Sequence, residues 1–302
     1  MGRHLHIDPF SGIAGDMFLG ACVDLGVELD AVRAALAKLP VERPYEIKTS
    51  RVFRHGIGAV DLKVKLLDED KANTPPADDV VGHHKHGHHH DHDHSHDHDH
   101  THDHSHDHGH AHHHHHHHHT GYREIMAMVD ELDTTPRGRA RAGRVVTKLA
   151  EAEARVHGKT LEDIHFHEVG AVDSIVDMLG SVVAIELLEI ETISTGPLPI
   201  SRGFVRCDHG VMPVPAPATA YLMAGVPTVG VDRTGELVTP TGAALVAGLC
   251  DSFAPPPPMT VLEVGYGAGD RESVHVPNLL RLFTGRINPP GSIGPIKTQP
   301  HH

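Results

Sequence analysis

Two concentrations of ligand-type side chains dominate the chemistry this sequence offers. Residues 83–119 carry 24 histidines in 37 positions, interleaved with six aspartates and closing in eight consecutive histidines, His112 to His119. Imidazole is the commonest neutral metal ligand and suits nickel, zinc and copper. His88, His90, His92, His94, His112 and His114 are candidate ligands in overlapping sites. The run is internal and alternates with carboxylates, unlike a terminal affinity tag. It is too polar to bury itself, so the segment 68–119 is expected to be disordered. Metal capture is the chemistry it points to; the tract alone does not separate storage, delivery and use.

The second concentration is His165-Phe166-His167-Glu168, followed by Asp173 and Asp177. In an extended segment His165 and His167 point to one side, and residues four apart on a helix share a face. Two imidazoles and three carboxylates this close make a metal or acid–base cluster, although the spacing is not the zinc-protease HExxH pattern. As ordinary local structure, the same residues are a polar loop with Asp173 capping a helix.

Four further segments could hold a ligand. Asp8 ends a strand, and Ser11, Gly12 and Gly15 form a loop before a helix with Asp16 in its first turn. Glycines there expose backbone N–H groups, and a helix N-terminus favours an anion such as phosphate. Asp8 and Asp16 are candidates to hold a metal or a proton; plain turn chemistry with Asp16 as a cap is the competing explanation. Thr239-Pro240-Thr241 starts another helix, with Thr239 capping and proline in the first position, a second candidate anion site. Cys207-Asp208-His209 precedes Pro213, Pro215 and Pro217, which hold the chain extended; His209 is a candidate ligand at the entrance of that wall. Gly265-Tyr266-Gly267-Ala268-Gly269 has GxGxG spacing, not the dinucleotide GxGxxG. It reads as a flexible loop near a ligand, with Arg271 as a phosphate partner.

The elements that must position these residues interleave. Strands are expected at 4–8, 190–193, 204–207, 261–265 and 279–283, with a hairpin over 45–67. Helices are expected at 17–25, 29–39, 122–132, 137–157, 174–189, 215–225 and 240–249. The class is mixed α/β (α+β), with helices and short strands interleaved around a disordered His-rich insertion. Residues 1–67 and 120–285 are expected to form one domain, and 286–302 a Pro/Gly-rich tail or linker to an absent C-terminal domain.

Composition closes off several classes. The formal net charge is −14, but residues 68–119 hold eleven Asp/Glu against two Lys, so −9 of it is local to the tract. With no basic stripe and only eleven aromatics, none of them Trp, nucleic acid is not an expected partner. No apolar run reaches the roughly 20 residues that span a bilayer, so no membrane partner is expected either. Three isolated cysteines and no signal-peptide pattern fit a cytoplasmic protein.

Taken together, the segments resemble the LarC family, the nickel-insertion proteins of nickel-pincer cofactor synthesis. The resemblance runs through Asp8 to Ala21, His165 to Asp177, Gly210 to Thr219, Thr239 to Ala243 and Gly265 to Gly269, in that order, with a histidine-rich insertion between the first two. It implies a CTP-dependent nickel chelatase of the lyase class. Such an enzyme inserts nickel into pyridinium-3,5-bisthiocarboxylic acid mononucleotide and makes the pincer cofactor of lactate racemase-type enzymes. The implied cofactors are nickel and CTP with Mg or Mn. The implied partners are the mononucleotide, a separately encoded C-terminal subunit and a pincer-dependent apo-enzyme. On that reading His165, His167, Glu168 and Asp173 are transient nickel ligands, and Glu168 is the first candidate to take the proton lost from carbon. The competing reading is a non-catalytic nickel storage or delivery protein with a histidine reservoir.

Overall fold

In the computed structural model the first strand, β1 (Arg3–Asp8), lies inside a seven-stranded sheet. The sheet order is β2-β3-β10-β11-β1-β4-β9. Its other strands are β2 (Tyr45–Arg54), β3 (Ile57–Leu66), β4 (Ile190–Thr195), β9 (Ser252–Phe253), β10 (Met259–Ala268) and β11 (Leu279–Ile287). β1 runs antiparallel to β11 and parallel to β4, so the sheet is mixed. The structure describes residues 2–67, 120–166, 170–207, 209–271 and 273–288. The described residues fall in one unit, Met1–Asp68 with His119–His302.

Alternation along β1 sets the layers. Leu5 and Ile7 are fully buried in the main core beneath the helices. His4 and His6 point the opposite way and are still only 3% and 4% exposed. Ser194 Oγ sits 2.9 Å from His4 Nε2 and 2.8 Å from His6 Nδ1. One hydroxyl proton cannot serve both rings, so at least one imidazole donates to the oxygen. Burial lowers the pKa of both histidines. Their folded pKa values therefore lie below the unfolded value. The stability they contribute is present above about pH 6.5 and is lost as pH falls through the lowered values. The thermal midpoint should drop on acidification from pH 7 to 5, and His6→Asn should flatten that drop.

The helical layer is carried by α1 (Gly15–Asp24), α2 (Leu29–Leu36) and α5 (Val172–Leu187). α1 buries Met17, Phe18, Leu19, Ala21 and Cys22, nearly its whole circumference, so it must be enclosed by other elements. It lies directly on β10 and β3, and glycines make that approach possible. A Cβ at Gly265 would overlap the Ala21 carbonyl oxygen, and one at Gly267 the Met17 carbonyl oxygen. This corrects the expectation for Gly265-Tyr266-Gly267-Ala268-Gly269. The segment is mostly strand, and the glycines serve helix-on-sheet packing rather than a flexible ligand loop.

The remaining helices are α3 (Tyr122–Glu131), α4 (Pro136–His157), α6 (Pro217–Leu222) and α7 (Pro240–Leu249). α4 starts at Thr135, whose side chain accepts from Gly138 N, and stops at Gly158 with φ 61°. Its apolar stripe, Ala142, Val145, Val146 and Leu149, joins the same core as Ile125 and Met128 of α3. Two-stranded ribbons complete the chain: β5 (Leu198–Arg202) with β8 (Thr228–Thr234), and β6 (Phe204–Cys207) with β7 (Gly210–Pro213). The fold is α+β. The hairpin turns at His55 and Gly56, both at positive φ, as a tight two-residue connection requires.

Candidate functional site

Three helix N-termini meet in this fold, and the sequence explains how they are joined. The loop before α1 and the loop before α7 pair through backbone bonds, Ile13 N to Leu237 O at 2.9 Å and Thr239 N to Ile13 O at 3.0 Å. Gly12, at φ 114°, is required there because a Cβ would overlap the Leu237 carbonyl oxygen. Thr239 caps α7 by accepting from Gly242 N at 3.2 Å. Its hydroxyl lies 2.9 Å from Thr241 Oγ1, which in turn accepts from Gly15 N at 3.3 Å. Thr241 therefore ties the first turn of α7 to the first turn of α1. α5 arrives from the other side, and a Cβ on Gly15 would lie 2.7 Å from Asp177 Cβ.

Between these ends is a cleft of about 400 Å³. Gly15 and Asp16 from α1, Asp173, Ser174 and Asp177 from α5, and Thr239, Pro240 and Thr241 from the α7 start all line it. Lys63 of β3, Cys207 of β6, Ala216, Glu236 and Asp270 also line it, with the apolar Leu62, Val64 and Val205. Asp16 and Asp173 are not spent as caps. The N-cap positions are Ala14 and Ala171, neither with a side-chain cap bond. Each aspartate instead accepts the N–H of its own successor, Met17 or Ser174, at 2.7 Å and faces the cleft.

The electrostatics are divided. Each of the three helix starts turns the positive end of its dipole towards the cleft, which favours an anion, while the first-turn N–H groups of α1 are taken up by Thr241, Asp177, Asp16 and Ala14. The charged side chains are five carboxylates, Asp16, Asp173, Asp177, Glu236 and Asp270, with Lys63 as the cation among them. Lys63 Nζ is 3.5 Å from Asp16, 3.2 Å from Asp61 and in an ion pair with Asp270. Burial raises the Asp16 pKa, opposed by Lys63. Asp177 is pushed well above the usual carboxylate range, first by burial and then by the charges of Asp16 and Asp173. Asp177 Oδ1 is an enclosed atom with no hydrogen-bond partner. The cleft thus presents helix dipoles and a surplus of carboxylates together.

The other candidates are dispersed. Asp8 leaves the cleft to its neighbours and receives Arg281 Nε at 2.9 Å and Nη2 at 2.5 Å. Ser11 is buried, its hydroxyl accepting from Arg233 at 2.8 Å. Arg271 stands at the rim, donating to Glu236 O at 3.3 Å. His165 is exposed and bridges to Gly121. His209 is exposed, with its ring 5.0 Å from that of His157. His167 and Glu168 lie outside the described residues, as do Asp208 and the tract histidines His88, His90, His92, His94, His112 and His114. Among the described residues no group of three or more His, Cys, Asp or Glu is placed to hold a metal ion.

Sequence reasoning did not single out Lys63, Asp61, Glu236 or Arg233. Asp61 and Lys63 sit at alternate positions of β3, so they share one face of the sheet. That alternation was the available signal, but nothing in the sequence joins the hairpin to α1.

Residues 5–299 match the family model described as nickel insertion protein, and the chain belongs to that family. Relatives bearing the name "Putative nickel insertion protein" include one from Citrifermentans bemidjiense, 40% identical over 280 residues, covering 93% of this chain and 60% of that protein. One from Wolinella succinogenes is 41% identical over 280 residues, covering 92% and 59%. One from Dictyoglomus thermophilum is 35% identical over 285 residues, covering 94% and 61%. The chain thus spans about 60% of the length of the curated relatives it matches. No solved structure matches it significantly. Among the described residues no helix is long and apolar enough to cross a membrane.

Proposed function

We propose that this chain inserts nickel into pyridinium-3,5-bisthiocarboxylic acid mononucleotide in a CTP-dependent cyclometallation, a lyase-class chelatase step in the cytoplasm. The product is the pincer cofactor taken up by a lactate racemase-type apo-enzyme. One observation supports the reading above all: the starts of α1, α5 and α7, each within a motif that resembles the family, line a single cleft. The substrate carries a phosphate, which the helix dipoles and the hydroxyls of Ser174, Thr239 and Thr241 suit. Its metal is a cation, which the surrounding carboxylates attract. His165, His167 and Glu168 are the expected nickel ligands during transfer. CTP with magnesium or manganese is the expected energy source, and a separately encoded C-terminal polypeptide is the expected partner.

The histidine tract favours a second reading, a nickel store or carrier without chemistry of its own. Deleting residues 83–119 separates the two. In an inserting enzyme the deletion should lower product formation at limiting nickel and leave the rate at saturating nickel near that of the full chain, because the tract only concentrates the metal. Loss of function at every nickel concentration, together with loss of all bound metal, would instead identify the tract as the function.

A further inference from the structure

A second cavity, of about 410 Å³, is lined by residues of α4, α6, α7 and β9. It shares no lining residue with the cleft: Thr241 at the start of α7 faces the cleft, and Ala247 further along that helix faces this cavity. Its floor is apolar, with Ala152 of α4, Leu222 of α6 and Val226 all buried. Its rim is cationic and aromatic. Lys148 and Arg155 share one face of α4. The Arg155 guanidinium lies 4.4 Å over the Tyr221 ring, and among the described residues no carboxylate pairs with it. Stacking fixes the plane of the guanidinium and leaves its N–H edge open to an anion. Lys148 is paired with Glu151 at 2.8 Å, but both side chains are about half exposed, so the pair holds the lysine weakly. Tyr221 is 40% exposed and Phe253 36%. A chain with seven Phe, four Tyr and no Trp has few rings to spare, so two exposed ones on a single cavity ask for a cause other than core packing.

We propose that this cavity binds a small ring-bearing anion, an aromatic phosphate or carboxylate, at a site separate from the cleft. The anionic group takes the Arg155 fork, with Lys148 as the second charge. The ring covers the apolar floor beside Phe253. The volume falls within the range of small-molecule sites, roughly 300–1,000 Å³. Inorganic phosphate would use the cations and leave the floor wet, and a neutral ring would leave Arg155 unpaired. A molecule with both parts satisfies both halves of the cavity. Glu151 is the one carboxylate on the lining, and it opposes such a ligand. The inference stands apart from nickel insertion and holds or fails whatever the cleft does.

The full chain is titrated with phenyl phosphate and with benzoate, by calorimetry and by amide NMR. Inorganic phosphate and benzyl alcohol are the controls, one without the ring and one without the charge. At least one of the two probes should bind about tenfold more tightly than either control, and shift the amides of Ala224, Gly225 and Ala247. Arg155→Ala should weaken that binding by about tenfold or more, as loss of charge-assisted hydrogen bonds does. Arg155→Lys should restore only part of it, because an ammonium offers no fork. Glu151→Gln should tighten it several-fold by removing the opposing charge. Arg155 and Glu151 are exposed, so these variants should keep the wild-type thermal midpoint. A phosphate preferred over a carboxylate, or the reverse, names the anionic group, and both results uphold the site. Binding unchanged in Arg155→Ala would overturn the proposal, as would inorganic phosphate binding as tightly as phenyl phosphate. Amide shifts confined to Gly15, Ser174 and Thr241 would assign the probe to the cleft and overturn it equally. So would the absence of binding by both probes.

Discussion

Gly267→Ala should leave this protein barely folded, with a loss of about 3–5 kcal/mol, at the upper end for single substitutions. A methyl group at that position would overlap the Met17 carbonyl oxygen and come within 2.7 Å of its carbon and 2.8 Å of the Ala21 nitrogen. These are backbone atoms of a buried helix, so no side-chain rotation relieves the clash. α1 would have to lift off the sheet, opening the contacts of Phe18 and Leu19, both fully buried. It would also carry Gly15 and Asp16 away from the cleft. Gly230→Ala is the control, since nothing lies within 4 Å of a Cβ there. Urea unfolding should show a large fall in midpoint for the first variant and almost none for the second. Equal midpoints would mean that α1 does not sit on β10 as described.

The second large effect has the opposite sign. Asp177→Asn should stabilise the protein at neutral pH. The folded-state pKa of Asp177 is raised above its unfolded value, chiefly by burial. The unfolded chain therefore releases this proton at lower pH than the folded chain does. Stability falls by up to about 1.4 kcal/mol per pH unit as pH rises from about 4 towards the folded pKa. Below that window both states hold the proton and the cost vanishes. Asparagine has no such proton to lose, so the variant should gain on wild type steadily from acid to neutral pH. Asn can still accept from Asp16 N–H, so the packing against Gly15 is kept. Parallel curves for wild type and variant between pH 4 and 7 would show that Asp177 is ionised in the folded protein.

Much of this architecture was legible in the residues, and the exceptions have physical causes. α7 was expected at Pro240–Leu249 and lies there because Thr239 and Pro240 mark its start unambiguously. α4 ends at Gly158 for the same kind of reason. Some strands were less visible: β5, β7 and β9 are short, and β8 is largely exposed. The glycines of β10 resembled a loop signal because their cause, a helix lying on the strand, is tertiary. In the cleft, Asp16, Asp173, Thr239 and Thr241 were recognisable from local helix-start chemistry. Lys63 was not, since β3 reaches α1 only through sheet order. Asp8 and Ser11 looked available in sequence, but Arg281 and Arg233 engage them from strands more than 200 residues away.

The central claim, that this chain is a nickel-inserting enzyme, is tested most directly by mass spectrometry of its product. Purified chain is incubated with nickel, CTP and pyridinium-3,5-bisthiocarboxylic acid mononucleotide, with and without a separately encoded C-terminal polypeptide. The account predicts a nickel adduct of the mononucleotide that depends on CTP in at least one of the two mixtures. Nickel bound in multiple equivalents with no adduct in either mixture would contradict it and leave a nickel store.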